Sequence, residues 1–224
     1  WRDIQREPGK LHLPDYWHWV LEACARHGKR WSFGIQPSMP QSIHAYSVPD
    51  FLIPKLNFMP YPNADAWGPA TKYMPAYENA YLDHWTEMLN LLGAQFDADP
   101  HLESADIAGY GKWTEWHHWP QAGIECAEHA PIMRRLIDDH LAAFPRTPAL
   151  MHLIPANPEH AFPGTQAKVE AMHYAIGRGC GLRRDSFWPQ FTPFELQQIQ
   201  QVRNPGTIFT YEHGCYSTQD RWPM

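Results

Sequence analysis

Five times along this chain an apolar pattern of helical spacing gives way at once to a short apolar run of strand length, and that rhythm limits the fold more than any other feature. Trp17, Val20, Leu21 and Cys24 recur on one helical face after Pro14-Asp15, and Gly28 is placed to end that helix in a left-handed turn. A strand is expected at 30–36. Tyr81, Trp85, Leu89, Leu92 and Phe96 mark a second helix over about 76–96, followed by a strand at 105–110. Ile132, Met133, Leu136, Ile137 and Leu141 precede a strand at 149–154, and Val169, Met172 and Ile176 precede one at 179–183. A last helix near 193–202 leads into 207–211. The proline-rich stretch 37–75 shows little periodicity and reads as a long loop of the kind that walls a cleft.

Repeated helix–strand units with short buried strands build a parallel sheet, either closed as a barrel or open and doubly wound. An open sheet of that kind usually carries a glycine-rich phosphate loop, and neither GxGxxG nor GxxxxGK[ST] occurs, so no cofactor is expected. Polar or acidic residues instead follow nearly every strand: Gln36, Glu115, Arg183 with Asp185, and Glu212. Barrels of the (β/α)8 type keep their active sites at those strand ends. The expectation is therefore an α/β TIM barrel, one domain over 1–224. Four cysteines without a CxxC spacing leave Cys24 and Cys180 as buried free thiols.

A formal net charge of −6 gives no basic stripe for nucleic acid, and no apolar run reaches the ~18 residues of a membrane span. Eleven Trp and ten Tyr suit a cleft for carbohydrate, whose ring faces stack on aromatic faces. The 14 His raise a metal-dependent hydrolase as a rival, but neither HxH nor HExxH is present and adjacent His117 and His118 make a poor chelate. Oligomeric state is left open.

Glu115 lies just past one strand and Glu212 directly past another. Two carboxylates facing each other across a cleft are what glycosidic cleavage needs, one to protonate the leaving oxygen and one to attack the anomeric carbon or activate water. Around Glu115 the chain reads Lys112-Trp113-Thr114-Glu115-Trp116-His117-His118. His117 and His118 could hold Glu115 or donate to sugar hydroxyls. Trp113 and Trp116 are either stacking platforms or core packing. Of Arg183, Arg184 and Asp185, one Arg–Asp pair is expected to be structural and the other Arg to point into the cleft. Gln36 is placed to touch substrate. Tyr211 is a candidate hydrogen-bond partner of Glu212, although strand alternation turns it to the other side.

The segment Asp106-Ile-Ala-Gly-Tyr-Gly-Lys-Trp-Thr-Glu-Trp-His117 resembles the G-x-W-G-E-W-H stretch of family 42-like β-galactosidases and their bacterial relatives, members of glycoside hydrolase clan A. Trp1-Arg-Asp-Ile-Gln-Arg-Glu-Pro-Gly-Lys10 is similar to the turn after their second barrel strand. The resemblance implies a barrel whose fourth strand carries the acid/base, here Glu115, and whose seventh carries the nucleophile, here Glu212. It implies a retaining β-glycosidase with a carbohydrate substrate, and counts this sequence as about strands two to seven. Thr114 stands where many clan members have Asn; a barrel that binds glycan without cleaving it is the alternative that this departure suggests.

Overall fold

The computed structural model describes residues 1–39, 42–62, 68–111, 113, 116, 129–153, 165–184, 193–201 and 208–211. Helix α1 (Asp15–His27) ends on Gly28, whose φ of 58° is the left-handed turn expected there. Strand β1 (Trp31–Phe33) follows. The stretch expected to be loop holds a 3-10 helix (Asp50–Lys55) and an antiparallel hairpin, β2 (Phe58–Pro62) with β3 (Thr71–Pro75). Its prolines hid it from the sequence reading. A two-stranded ribbon is all edge, and an edge strand tolerates residues that cannot donate to a ladder. The hairpin is fastened near its turn: the buried Lys72 ammonium donates to the carbonyls of Ser42 and His44, and Tyr46 stacks on Tyr73 with ring centroids 4.7 Å apart.

Four further helix–strand units complete the chain: α2 (Asn79–Phe96) with β4 (Leu102–Asp106), α3 (Ala130–Ala143) with β5 (Ala149–His152), α4 (Thr165–Gly177) with β6 (Gly181–Arg184), and α5 (Pro193–Gln201) with β7 (Phe209–Tyr211). The parallel sheet runs β1-β4-β5-β6-β7, which is chain order. A doubly wound sheet reverses its order at a switch point, and this one does not. Ser32, Ser104, Asp106, Leu150, Arg183 and Thr210 draw on every strand and line one cavity of about 240 Å³. Adjacent strands lie about 4.8 Å apart, so five flat strands would span roughly 19 Å, too wide to border so small a space. The sheet is therefore curled around it, as an arc of a TIM barrel.

The outer face carries the bulk of the apolar mass. Trp31 and Phe33 pack with Trp17 of α1 and Phe96 of α2, at centroid separations of 5.2 to 5.9 Å. Strand β4 begins three residues earlier than the apolar pattern suggests and stops at Asp106. Ile107, Ala108 and Tyr110 are buried because they pass beneath α2 and α3, and not because they are strand. Cys180 is buried and its thiol is pushed up to about 12 by desolvation, whereas Cys24 is half-buried; both are free.

Helices α2 and α3 touch most closely at Gly93, where an added Cβ would stand 2.0 Å from the Ala143 carbonyl oxygen. His140 of α3 is 2% exposed and bridges helix to sheet. Its Nδ1–H donates to the Leu136 carbonyl at 2.6 Å, and its Nε2 accepts from the Ala108 amide at 3.2 Å. Accepting through Nε2 requires the neutral ring, and burial pushes its pKa down from 6.5 to about 4.

Two outcomes follow from these contacts. Gly93→Ala adds helix propensity worth about 1 kcal/mol but forces the helices apart, so net stability should fall by about 1–3 kcal/mol in urea melts. An unchanged or higher midpoint would refute the close packing. As pH falls below 6.5 the unfolded chain protonates this histidine while the native state refuses the proton until about pH 4. Stability is thus full above pH 6.5 and is lost toward pH 4, by roughly 3 kcal/mol at about 1.4 kcal/mol per unit. His140→Gln, which cannot titrate, should flatten that part of the urea-midpoint profile.

Candidate active site

Among the described residues, the segment after β4 is heavily anchored backbone at the C-terminal rim of the sheet. Its peptide groups are buried away from water, so each needs a partner within the protein. The Trp116 indole N–H donates to the Ile107 carbonyl at 2.9 Å, and the Tyr81 hydroxyl donates to the Gly109 carbonyl at 2.6 Å. The Gly111 amide donates to the Tyr77 hydroxyl at 2.7 Å, and His140 receives the Ala108 amide. Farther on, the Trp113 amide donates to the Ser38 carbonyl at 3.1 Å, while the Gln36 side-chain amide donates to the Trp113 carbonyl at 3.3 Å. The path admits no side chain at residue 109: Gly109 has φ +97° and lies so close to the Trp85 ring that a Cβ would meet it at 2.8 Å.

Trp113 and Trp116 then adopt φ of 52° and 59°, the left-handed region that bulky residues avoid. Each such residue costs about 1–2 kcal/mol, and it persists only where surrounding contacts dictate it. Trp116 is compensated by full burial and its indole hydrogen bond, and Trp113 by the bonds from both of its backbone groups. Glu115 stands in sequence between these two fixed tryptophans.

Glu115, Glu212, His117, His118 and Asp185 lie outside the described residues. Of the other expected site residues, Trp116 is corrected. A ring with no exposed surface, 5.4 Å from Tyr110, has no face for a sugar and belongs to the core. Trp113 is half-buried. Gln36 donates its amide N–H to the Trp113 carbonyl, and it also borders a cleft at the end of β1. Among the described residues Arg183 is ion-paired with Asp106 of β4, and Arg184 with Glu195 of α5 at 3.0 Å; the expected partner Asp185 lies outside them. Both are satisfied structurally, and Arg183 also faces the cavity inside the sheet. Tyr211 ends β7, with its backbone paired to Arg184.

Sequence reasoning missed Tyr77, Tyr81, His140 and Asp106. Tyr81 and His140 sit on helix faces that read simply as apolar, and Tyr77 lies just ahead of α2. Asp106 did carry a signal, as a carboxylate inside an otherwise apolar strand run. Among the described residues, no group of three or more His, Cys, Asp or Glu side chains is placed to hold a metal ion, and no helix is long and apolar enough to cross a membrane.

No protein-family model matches the chain, and no curated protein matches it. Solved structures do. The lactosyl-enzyme intermediate of endo-glycoceramidase II from Rhodococcus sp. is 12% identical, with a TM-score of 0.47, over 98% of this chain and 65% of that one. The same enzyme with a cellobiose-like imidazole gives 13% identity, a TM-score of 0.46 and the same coverage. A morphinone reductase variant bound to tetrahydroNAD is 14% identical with a TM-score of 0.50, over 91% of this chain and 60% of that one. The chain thus spans 60 to 65% of the length of these structures. At such identities the likeness is one of fold alone. A fold does not specify a reaction, so the chemistry has to be argued from side chains.

Proposed function

We propose that this chain belongs to a retaining glycoside hydrolase that cleaves β-linked glycosides, with Glu115 as general acid/base and Glu212 as nucleophile. The observation that carries the reading is the pair of left-handed tryptophans flanking Glu115, held by hydrogen bonds with Gln36, Ser38 and Ile107. Backbone strain concentrated beside a carboxylate at the C-terminal rim of a barrel sheet is the expected mark of a preorganised catalytic group.

In this reading Glu115 gives its proton to the glycosidic oxygen while the Glu212 carboxylate attacks the anomeric carbon. The aglycone leaves as an alcohol and the sugar is held as an ester. Water then attacks the same carbon, Glu115 takes its proton, and Glu212 departs as a carboxylate. The first step needs Glu115 protonated near neutral pH, which apolar surroundings of the kind that Tyr110 and Trp116 provide favour. The cavity inside the sheet, with Arg183 on its wall, is the floor over which the sugar sits.

A second reading is kept by one residue. Thr114 precedes Glu115 where many members of glycoside hydrolase clan A have Asn, and a glycan-binding barrel without turnover would accept that change.

A panel of aryl β-galactosides, glucosides and mannosides tests both. Hydrolysis should release the β-anomer first by proton NMR, and Glu115→Gln and Glu212→Gln should each lower kcat by about 10²–10⁴-fold. Release of the α-anomer would overturn the retaining mechanism, and full activity in both variants would overturn the assignment. Tight oligosaccharide binding with no cleavage by the wild type would establish the binding protein instead.

A further inference from the structure

The lumen of the curled sheet holds a charged pair where a barrel ordinarily packs Val, Ile and Leu. Asp106 is the last residue of β4, its side chain is 4% exposed, and it is ion-paired with Arg183 of β6, 17% exposed. Strand register defines the geometry. Asp106, Leu150 and Gly181 form one row across β4, β5 and β6, and His152, Arg183 and Thr210 form the next row toward the C-terminal rim. The guanidinium therefore reaches back one row and across an entire strand to meet the carboxylate. Gly181 leaves the room, since a Cβ there would lie 2.6 Å from the Leu150 side chain and 2.4 Å from the Ile208 carbonyl.

Stability does not account for this pair. Withdrawing two charges from water offsets most of their attraction, and apolar residues of equal volume generally serve a core as well. What the pair does supply is a fixed geometry between particular strands. Asp106 is joined directly to the anchored segment that leads to Glu115, and the Ile107 amide N–H donates a hydrogen bond to the Leu150 carbonyl at 2.8 Å. Strand β6 is paired to β7, the strand that leads to Glu212.

We propose that Asp106 is a positioning residue. Through Arg183 it sets the separation between the strand ends that carry the two carboxylates, and it balances the guanidinium at the cleft floor. The role of those carboxylates rests on the glycosidase reading above; the tie between strands does not.

Asp106→Asn in the full chain keeps the side-chain shape but removes the carboxylate charge beside Arg183. Its kcat should fall about 10²-fold with KM within about threefold, the size of effect that a small misplacement of reacting groups produces. Loss of that negative charge should also favour the ionised form of the acid, moving the basic limb of the pH–rate profile to lower pH. Asp106→Leu combined with Arg183→Met removes both charges. It should melt within a few degrees of wild type yet stay as impaired in kcat as the single variant. A fully active double variant, or an Asp106→Asn enzyme with wild-type kcat and pH profile, would overturn the proposal. Hydrogen exchange separates this inference from the glycosidase reading. If the wild type cleaves no glycoside, Asp106→Asn should still speed exchange of the amides of Ala108, Gly111 and Trp113 about tenfold, and unchanged protection there would dismiss Asp106 as a positioning residue.

Discussion

A chain that leaves a strand and passes beneath two helices must satisfy its peptide groups without water, and much of this structure is arranged around that requirement. The backbone after β4 takes its partners from Tyr77 ahead of α2, Tyr81 on α2, His140 on α3 and the Gln36–Ser38 stretch after β1. Those groups reach their targets only if both helices lie tightly against the segment, and the contact of Gly93 with Ala143 is what allows it. An unmade hydrogen bond in such a place costs about 1–3 kcal/mol, so several together rival the net stability of a domain. The left-handed tryptophans are tolerated because this network leaves the chain no cheaper path.

The two faces of the sheet divide the labour. Outward, Trp17, Trp31, Phe33 and Phe96 form an aromatic layer that holds helices to strands. Inward, Ser32 and Ser104 share a hydrogen bond of 2.9 Å, and above them lies the Asp106–Arg183 pair. Polarity thus increases toward the rim where the strands end. A lumen of this kind is a poor core, and its polarity is compatible with the hydroxyl-rich ligand proposed for it.

The helix–strand rhythm was legible because periodicity is a local property. Each helix face and each short apolar run announces itself within a dozen residues, and chain-order pairing then leaves a barrel arc as the outcome. The errors have physical causes. The β4 boundary was misplaced because Ile107, Ala108 and Tyr110 are apolar for packing beneath helices, which looks the same in sequence as packing within a sheet. The hairpin was missed because Pro60, Pro62 and Pro75 count against a strand unless it is known to be an edge. Trp116 could be read as platform or core, since an indole serves either, and only its burial decided. The pairing of Asp106 with Arg183 had no local signature at all. Neither residue indicates its partner, and the contact exists only once β5 has been laid between them.

The hairpin carries a different lesson. Its strands bond to each other and not to the parallel sheet, and it is moored by Lys72 reaching two carbonyls and by the stacked rings of Tyr46 and Tyr73. Burial lowers the Lys72 pKa below the usual lysine range, so this mooring is itself a group whose charge is held at some cost. A ribbon moored beside its turn and independent of the main ladder leaves its open end, where Phe58 faces Pro75, as the joint to its neighbours. A change in its length is taken up in the links to the 3-10 helix before it and to α2 after it, and no strand pairing of the barrel arc has to move.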